Sequence, residues 1–167
     1  MRSAVAEVGA GAIKSMPRRS SALISEAEKA ALSVVRSVYQ DLANRPVTRS
    51  CELRTQCCHF KLTGKTPYLT RGEALLAARA LKATGRKALP ERKDGACPLL
   101  DGTTSRCLIY QNRPFGCRTH FCAAAGGPYA RREVVDLVRR LEDADAQLGG
   151  DGPRALPAAV ASALAGM

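Results

Sequence analysis

Seven cysteines fall between Cys51 and Cys122, and the chain holds none elsewhere. They form three groups: Cys51, Cys57 and Cys58; then Cys97 and Cys107; then Cys117 and Cys122. An odd count fits a framework of disulfides poorly, and clustered cysteines in a reducing compartment more often hold metal than pair with one another. The expectation is a segment folded around a metal and enclosed by flanking helices. The rest of the composition points the same way. Hydrophobic residues make up 46% of the 167 residues, but aromatics only 4%, with no Trp, and much of the apolar content is Ala. A core of small and aliphatic side chains is thin, and an internal metal helps such a core fold.

The net charge of +11 is uneven. Lys and Arg outnumber Asp and Glu by 13 to 5 over residues 51–122, by 8 to 4 before them, and are outnumbered 6 to 5 after them. Positive charge therefore gathers on the cysteine region. Four thiolates around a divalent metal keep a net negative charge, which nearby Lys and Arg offset; a nucleic-acid partner is a second, less favoured reading. The first residues are rich in Ala and Gly, but Glu7 and Lys14 interrupt them and no apolar stretch of a signal peptide forms. No segment has the length of a membrane-spanning helix. The protein is read as cytoplasmic.

Local signals place three main helices. Ser25 and Glu28 read as a capping box opening a helix to about residue 44, with Ala31, Val34, Val35, Val38 and Leu42 on one face and Arg45-Pro46 as its stop. Thr70 and Glu73 form a second capping box, Leu75, Ala78 and Leu81 share a face, and Gly85 ends the helix. Pro128 begins the third, with Val134, Leu137, Val138 and Leu141 as its stripe, Asp136 and Arg140 as a surface pair, and Gly149-Gly150 as its end. Residues 85–96 read as a solvated basic loop. Apolar runs around Asp101-Gly102 predict a short hairpin that brings Cys97 and Cys107 together. Arg113 to Arg118 reads as a tight turn, and the Ala-rich end after Pro157 as a weak helix or a frayed tail.

Thiolates select zinc, copper(I) and iron–sulfur clusters. Cys57 and Cys58 are adjacent, and neighbouring side chains of an extended segment point to opposite sides. Both face one metal only if the backbone turns sharply. Otherwise the pair implies a multinuclear centre, or one ligand beside one core or reactive thiol. The spacing matches neither common ferredoxin pattern. His59 and His120, the only histidines, each lie near a cysteine and are candidate ligands to complete a zinc site. Arg113 and Arg118 flank Cys117 and are candidate donors to thiolate or sulfide.

In order, Cys51…Cys57-Cys58, Cys97-Pro-Leu, Cys107-Leu-Ile-Tyr110 and Arg113-Pro114…Cys117-Arg118 resemble the bacterial YkgJ-type CxxCxxCC cysteine-cluster family, a family assigned to zinc or iron chelation. The resemblance runs from Cys51 to Arg118. It implies metal binding through Cys51, Cys57, Cys58, Cys97, Cys107 and Cys117. Flagellin lysine N-methylases resemble the same family in their cysteine motif and carry an iron–sulfur cluster. One position departs: where the signature expects a cysteine three residues after Cys51, the chain has Arg54. Cys122, a histidine or a smaller site would have to make up for it.

The expected fold is mainly α: a small cysteine-rich metal-binding domain with three main helices and a short β-hairpin. A flexible tail over residues 1–20 precedes a single helical domain over 21–150 with its metal-binding core at 51–122, and an Ala-rich tail occupies 151–167. The expected cofactor is an iron–sulfur cluster or zinc in a structural or redox role, with the metal as partner, no membrane, and the protein partner unknown. A metal sensor or metallochaperone with Cys58 or Cys122 exchangeable, and a zinc-stabilised nucleic-acid binder, are the alternatives. No S-adenosylmethionine site, glycine-rich phosphate loop or catalytic triad is recognisable, and whether the chain is an enzyme is left open.

Overall fold

The computed structural model describes residues 21–46, 49 and 54–167. The expected N-terminal tail and Cys51 lie outside the described residues. Six helices are described: α1 (Ser21–Ala43), α2 (Phe60–Thr63), α3 (Arg71–Ala83), α4 (Phe115–Thr119), α5 (Arg131–Gln147) and α6 (Leu156–Ala165). Two short strands, β1 (Tyr68–Leu69) and β2 (Arg154–Ala155), pair antiparallel, with Tyr68 opposite Ala155 and Leu69 opposite Arg154. The fold is mainly α, as expected, but its sheet joins segments far apart in the chain.

The first helix buries Ala31, Leu32, Val35, Val38, Tyr39 and Leu42, a stripe at helical spacing. Ser25 does not open it: α1 is already helical at Ser21. The stripe packs on Val134, Leu137 and Leu141 of α5. Arg45 reaches from the end of α1 to the Glu133 carbonyl and the Asp136 carboxylate. Arg140 bonds Asp41 and donates to Ser37 Oγ at 2.9 Å. The two helices therefore run antiparallel. The surface pair expected between Asp136 and Arg140 is replaced by these cross-helix bonds, because α1 offers each residue a partner that sequence spacing cannot display. Pro128 does not open α5 either, which starts at Arg131 behind Ala130.

The central element is α3. Leu76 faces the α1–α5 pair, while Ala74, Ala77, Ala78 and Leu81 face Leu156, Ala159 and Val160 of α6. Alanines let a second helix come close on that side, and Gly72 does the same toward α1, where an added Cβ would stand 3.0 Å from Val35 Cγ2. The Ala-rich end is thus a core helix and not a frayed one. Its entry is fixed by β2 and by Leu156 N–H donating to Pro67 O at 2.8 Å.

Two carboxylates cap the start of α3. Glu73 accepts from Thr70 N–H, as the capping box predicts. Asp145 of α5, also buried, accepts from Arg71 N–H at 2.6 Å and from Gly152 N–H at 3.0 Å. Gly150 makes room for this: a Cβ there would sit 2.2 Å from Asp145 Oδ2. Gly150→Ala is expected to push the carboxylate off both donors and cost about 1–3 kcal/mol. Thermal unfolding checks this, and an unchanged midpoint would mean the carboxylate sidesteps without losing its bonds.

Candidate metal centre

The described cysteines are delivered by separate local devices, with Cys57 and Cys58 sharing one. Cys57 and Cys58 lie on a 3-10 turn, Gln56–Cys58, entered through Thr55 at φ 54. A left-handed non-glycine residue is costly, and it supplies the sharp turn needed to bring adjacent side chains to one side. The two sulfurs lie 4.0 Å apart. Sulfurs bound to one tetrahedral zinc at about 2.3 Å stand about 3.8 Å apart, so this pair has the separation of two ligands to one ion.

Cys97 is pinned beside that turn by its N–H, which donates to Cys58 O at 2.6 Å. The expected hairpin exists in reduced form: one isolated bridge between Leu100 and Cys107, with Leu108 N–H donating to Leu99 O. The intervening turn is wound on Asp101, whose Oδ1 accepts from Thr103 N–H, Thr104 N–H and the Thr104 hydroxyl. Arg92 donates to Leu100 O at 2.8 Å, and Arg86 pairs with Asp101 at 3.6 Å. Half the cations of the basic loop are therefore spent on holding this turn.

Cys117 lies on α4. The stretch expected to be a tight turn is helical, because Pro114 caps it and Glu73 receives its first N–H. Glu73 is fully buried. Its Oε1 accepts from Phe115 N–H at 2.8 Å and Tyr39 O–H at 3.1 Å, and its Oε2 from the Thr70 backbone and hydroxyl. Burial pushes its carboxyl above the ordinary value, against the pull of those donors. Arg118 does not reach sulfur with these donors: Nε bonds Arg113 O at 2.8 Å, Nη2 bonds Gln111 O, and its guanidinium stacks on Tyr39. One carboxylate thus joins the helix cap, the α1 tyrosine and the cysteine helix. Local spacing displays only the cap, since Glu73 bonds groups 34 and 42 residues away.

These devices converge. Cys57, Cys58, Cys97, Cys107 and Cys117 all line one cavity of about 720 Å³. His120 lines it too, while His59 and Cys122 do not. Cys122 instead starts the 3-10 turn Ala123–Ala125. The thiols line the walls without closing on a point: among the described residues no three Cys, His, Asp or Glu side chains form a group that could hold an ion as they stand. The six described cysteines are free thiols.

The electrostatics suit an added cation. Cys57 is drawn down to about 6, chiefly by its hydrogen bond with Cys58 and further by Arg113, while Cys58 is pushed up as the partner that keeps the proton. Burial pushes Cys97 up to about 12 and raises Cys107 and Cys117, and neighbouring cysteines add to each rise. Crowded buried thiols ionise together only when positive charge is supplied. Arg113 lies over the Tyr110 ring at 4.2 Å, and its Nε is buried with no acceptor among the described residues. A metal-bound thiolate or sulfide is the acceptor such a donor lacks. Crowded soft donors and an orphaned N–H donor in one cavity fit a zinc or iron centre.

Residues 49–137, just over half of the chain, match the CxxCxxCC family, described as "Putative zinc- or iron-chelating domain". No curated protein and no solved structure matches the chain.

Proposed function

Because this chain belongs to the CxxCxxCC family of zinc- or iron-chelating domains, we propose that Cys57, Cys58, Cys97, Cys107 and Cys117, with Cys51, hold an iron–sulfur cluster or zinc. The observation that carries the reading is the meeting of five thiols from four separate stretches in one cavity. Thiols spread along cavity walls favour the cluster, whose own iron and sulfide atoms hold its ligands farther apart than a single ion does. The 4.0 Å pair Cys57–Cys58 favours zinc at that corner. Bound there, a cluster would supply one-electron chemistry and zinc a structural cross-link.

The chain's own residues supply the setting. Thr55 turns the adjacent cysteines inward, Glu73 fixes α4 and thereby Cys117, and Arg113 offers a donor to sulfur. His120 lines the cavity and is the candidate ligand where the signature has a cysteine and this chain has Arg54; Cys122 does not line it. Free thiols suit a cytoplasmic protein, and among the described residues no helix is long and apolar enough to cross a membrane.

Metal analysis of anaerobically purified protein tests the reading. Brown protein carrying iron and acid-labile sulfide is expected; colourless protein with one zinc would replace the cluster with the zinc site. Cys97→Ser and Cys117→Ser are each expected to lower bound metal by more than about half. Metal content equal to wild type in both variants would remove these residues from the site.

A further inference from the structure

We infer that the mouth of the thiol cavity is a binding site for a small organic anion, a carboxylate or phosphate ester with an apolar body, held by Lys65 and Arg106. The inference shares its cavity with the metal reading and takes from it only where the metal lies.

Size is the first argument. A zinc ion fills only the space between its ligands, at about 2.3 Å from each sulfur, and a cluster adds only its few iron and sulfide atoms. The cavity measures about 720 Å³, within the roughly 300–1,000 Å³ of small-molecule sites.

Lining is the second. Besides the thiols, the cavity is lined by Lys65, Arg106 and Arg113 and by the hydroxyl side chains of Thr66 and Ser105. Although the chain has 15 Asp and Glu, no carboxylate is among the described lining residues. Lys65 and Arg106 form no ion pair among the described residues, whereas Arg45, Arg79, Arg86, Arg92, Arg140 and Arg154 each face a carboxylate. Cations that face no carboxylate among the described residues, beside hydroxyl donors, suit an anion. Phe60, Leu99 and Leu156 add apolar wall for the body of such a ligand.

Backbone strain is the third. Two non-glycine residues have positive φ among the described residues, Thr55 and Ser105, and both line this cavity. Ser105, at φ 52, immediately precedes Arg106 and is held by the turn wound on Asp101, where Ser105 N–H donates to Asp101 O at 3.0 Å. Strain of this kind persists where surrounding bonds over-determine it, and it gathers at ligand sites.

The experiment titrates the full chain, as purified with its metal, with three probes by calorimetry. Inorganic phosphate carries charge alone; phenyl phosphate and benzoate each add an apolar ring. Phenyl phosphate or benzoate is expected to bind in the millimolar range or tighter and about tenfold more tightly than inorganic phosphate. Which ring compound wins distinguishes a phosphate ester from a carboxylate ligand. Lys65→Ala with Arg106→Ala, both exposed positions, is expected to weaken that binding at least about tenfold with bound metal unchanged. The inference is overturned if no probe binds at about 10 mM, or if the double variant binds as wild type does. It is also overturned if the double variant loses metal while anion binding is unaffected, since the cations would then only offset thiolate charge. Metal analysis of the same sample is read separately: protein without zinc or iron that still binds phenyl phosphate refutes the metal reading and keeps this one.

Discussion

Glu73→Ala is expected to destabilise the fold by about 3 kcal/mol, a fall in Tm of about 6–12 °C for a chain of this size. The substitution removes the acceptor of Thr70 N–H, Phe115 N–H and Tyr39 O–H at one stroke. Each buried donor left unpaired costs about 1 kcal/mol or more. Glu73→Gln keeps the shape and one acceptor oxygen, so about half the cost is expected. The effect should also reach the metal. Phe115 opens the helix that carries Cys117, so bound metal should fall in Glu73→Ala even at a temperature where the variant is folded. Tyr39→Phe is the control, since it removes a donor and leaves the bond to Phe115 intact. A Glu73→Ala protein that melts like wild type and retains its metal would show that α4 is held without this carboxylate.

Acid is expected to release the metal steeply, with affinity falling about ten-thousandfold per pH unit below neutrality. Cys58, Cys97, Cys107 and Cys117 are all pushed up, so each must give up a proton to bind. Each proton released contributes about tenfold per pH unit. The metal-free form should behave in the opposite sense. Free thiols titrate at about 8.5. A thiol whose folded value is raised stabilises the fold fully below that pH, and the contribution is lost as pH rises above it, because the unfolded chain then ionises and the native state does not. Metal-free protein should therefore lose stability above about pH 8.5, while metal-loaded protein at the same pH should be at its tightest. Chemical denaturation with and without a chelator, at pH 7 and pH 9.5, checks both signs. Equal pH dependence in the two forms would show that these thiols do not bind the metal.

Much of this was legible from the amino acids alone. Helical spacing located the stripe of α1, the box Thr70–Glu73 located the start of α3, and Asp101-Gly102 located the turn between Cys97 and Cys107, because each depends on contacts within a few residues. The cysteine groups, their odd number and their basic surroundings pointed to soft-metal chemistry before any geometry was known, and the match over residues 49–137 agrees. The tertiary structure decided what spacing cannot carry. It turned Cys57 and Cys58 to the same cavity through a left-handed Thr55, a conformation that threonine does not announce. It made the Ala-rich end a core helix, because alanines become valuable only when α3 offers a matching face of small residues. It placed His120 in the cavity and left Cys122 outside it, though both lie within five residues of Cys117. It also turned Glu73 from a helix cap into the joint between α3, Tyr39 and the helix of Cys117. The physical reason is range: backbone propensity and capping act over a few residues, whereas a cavity is assembled from groups whose only relation is that folding brings them to the same place.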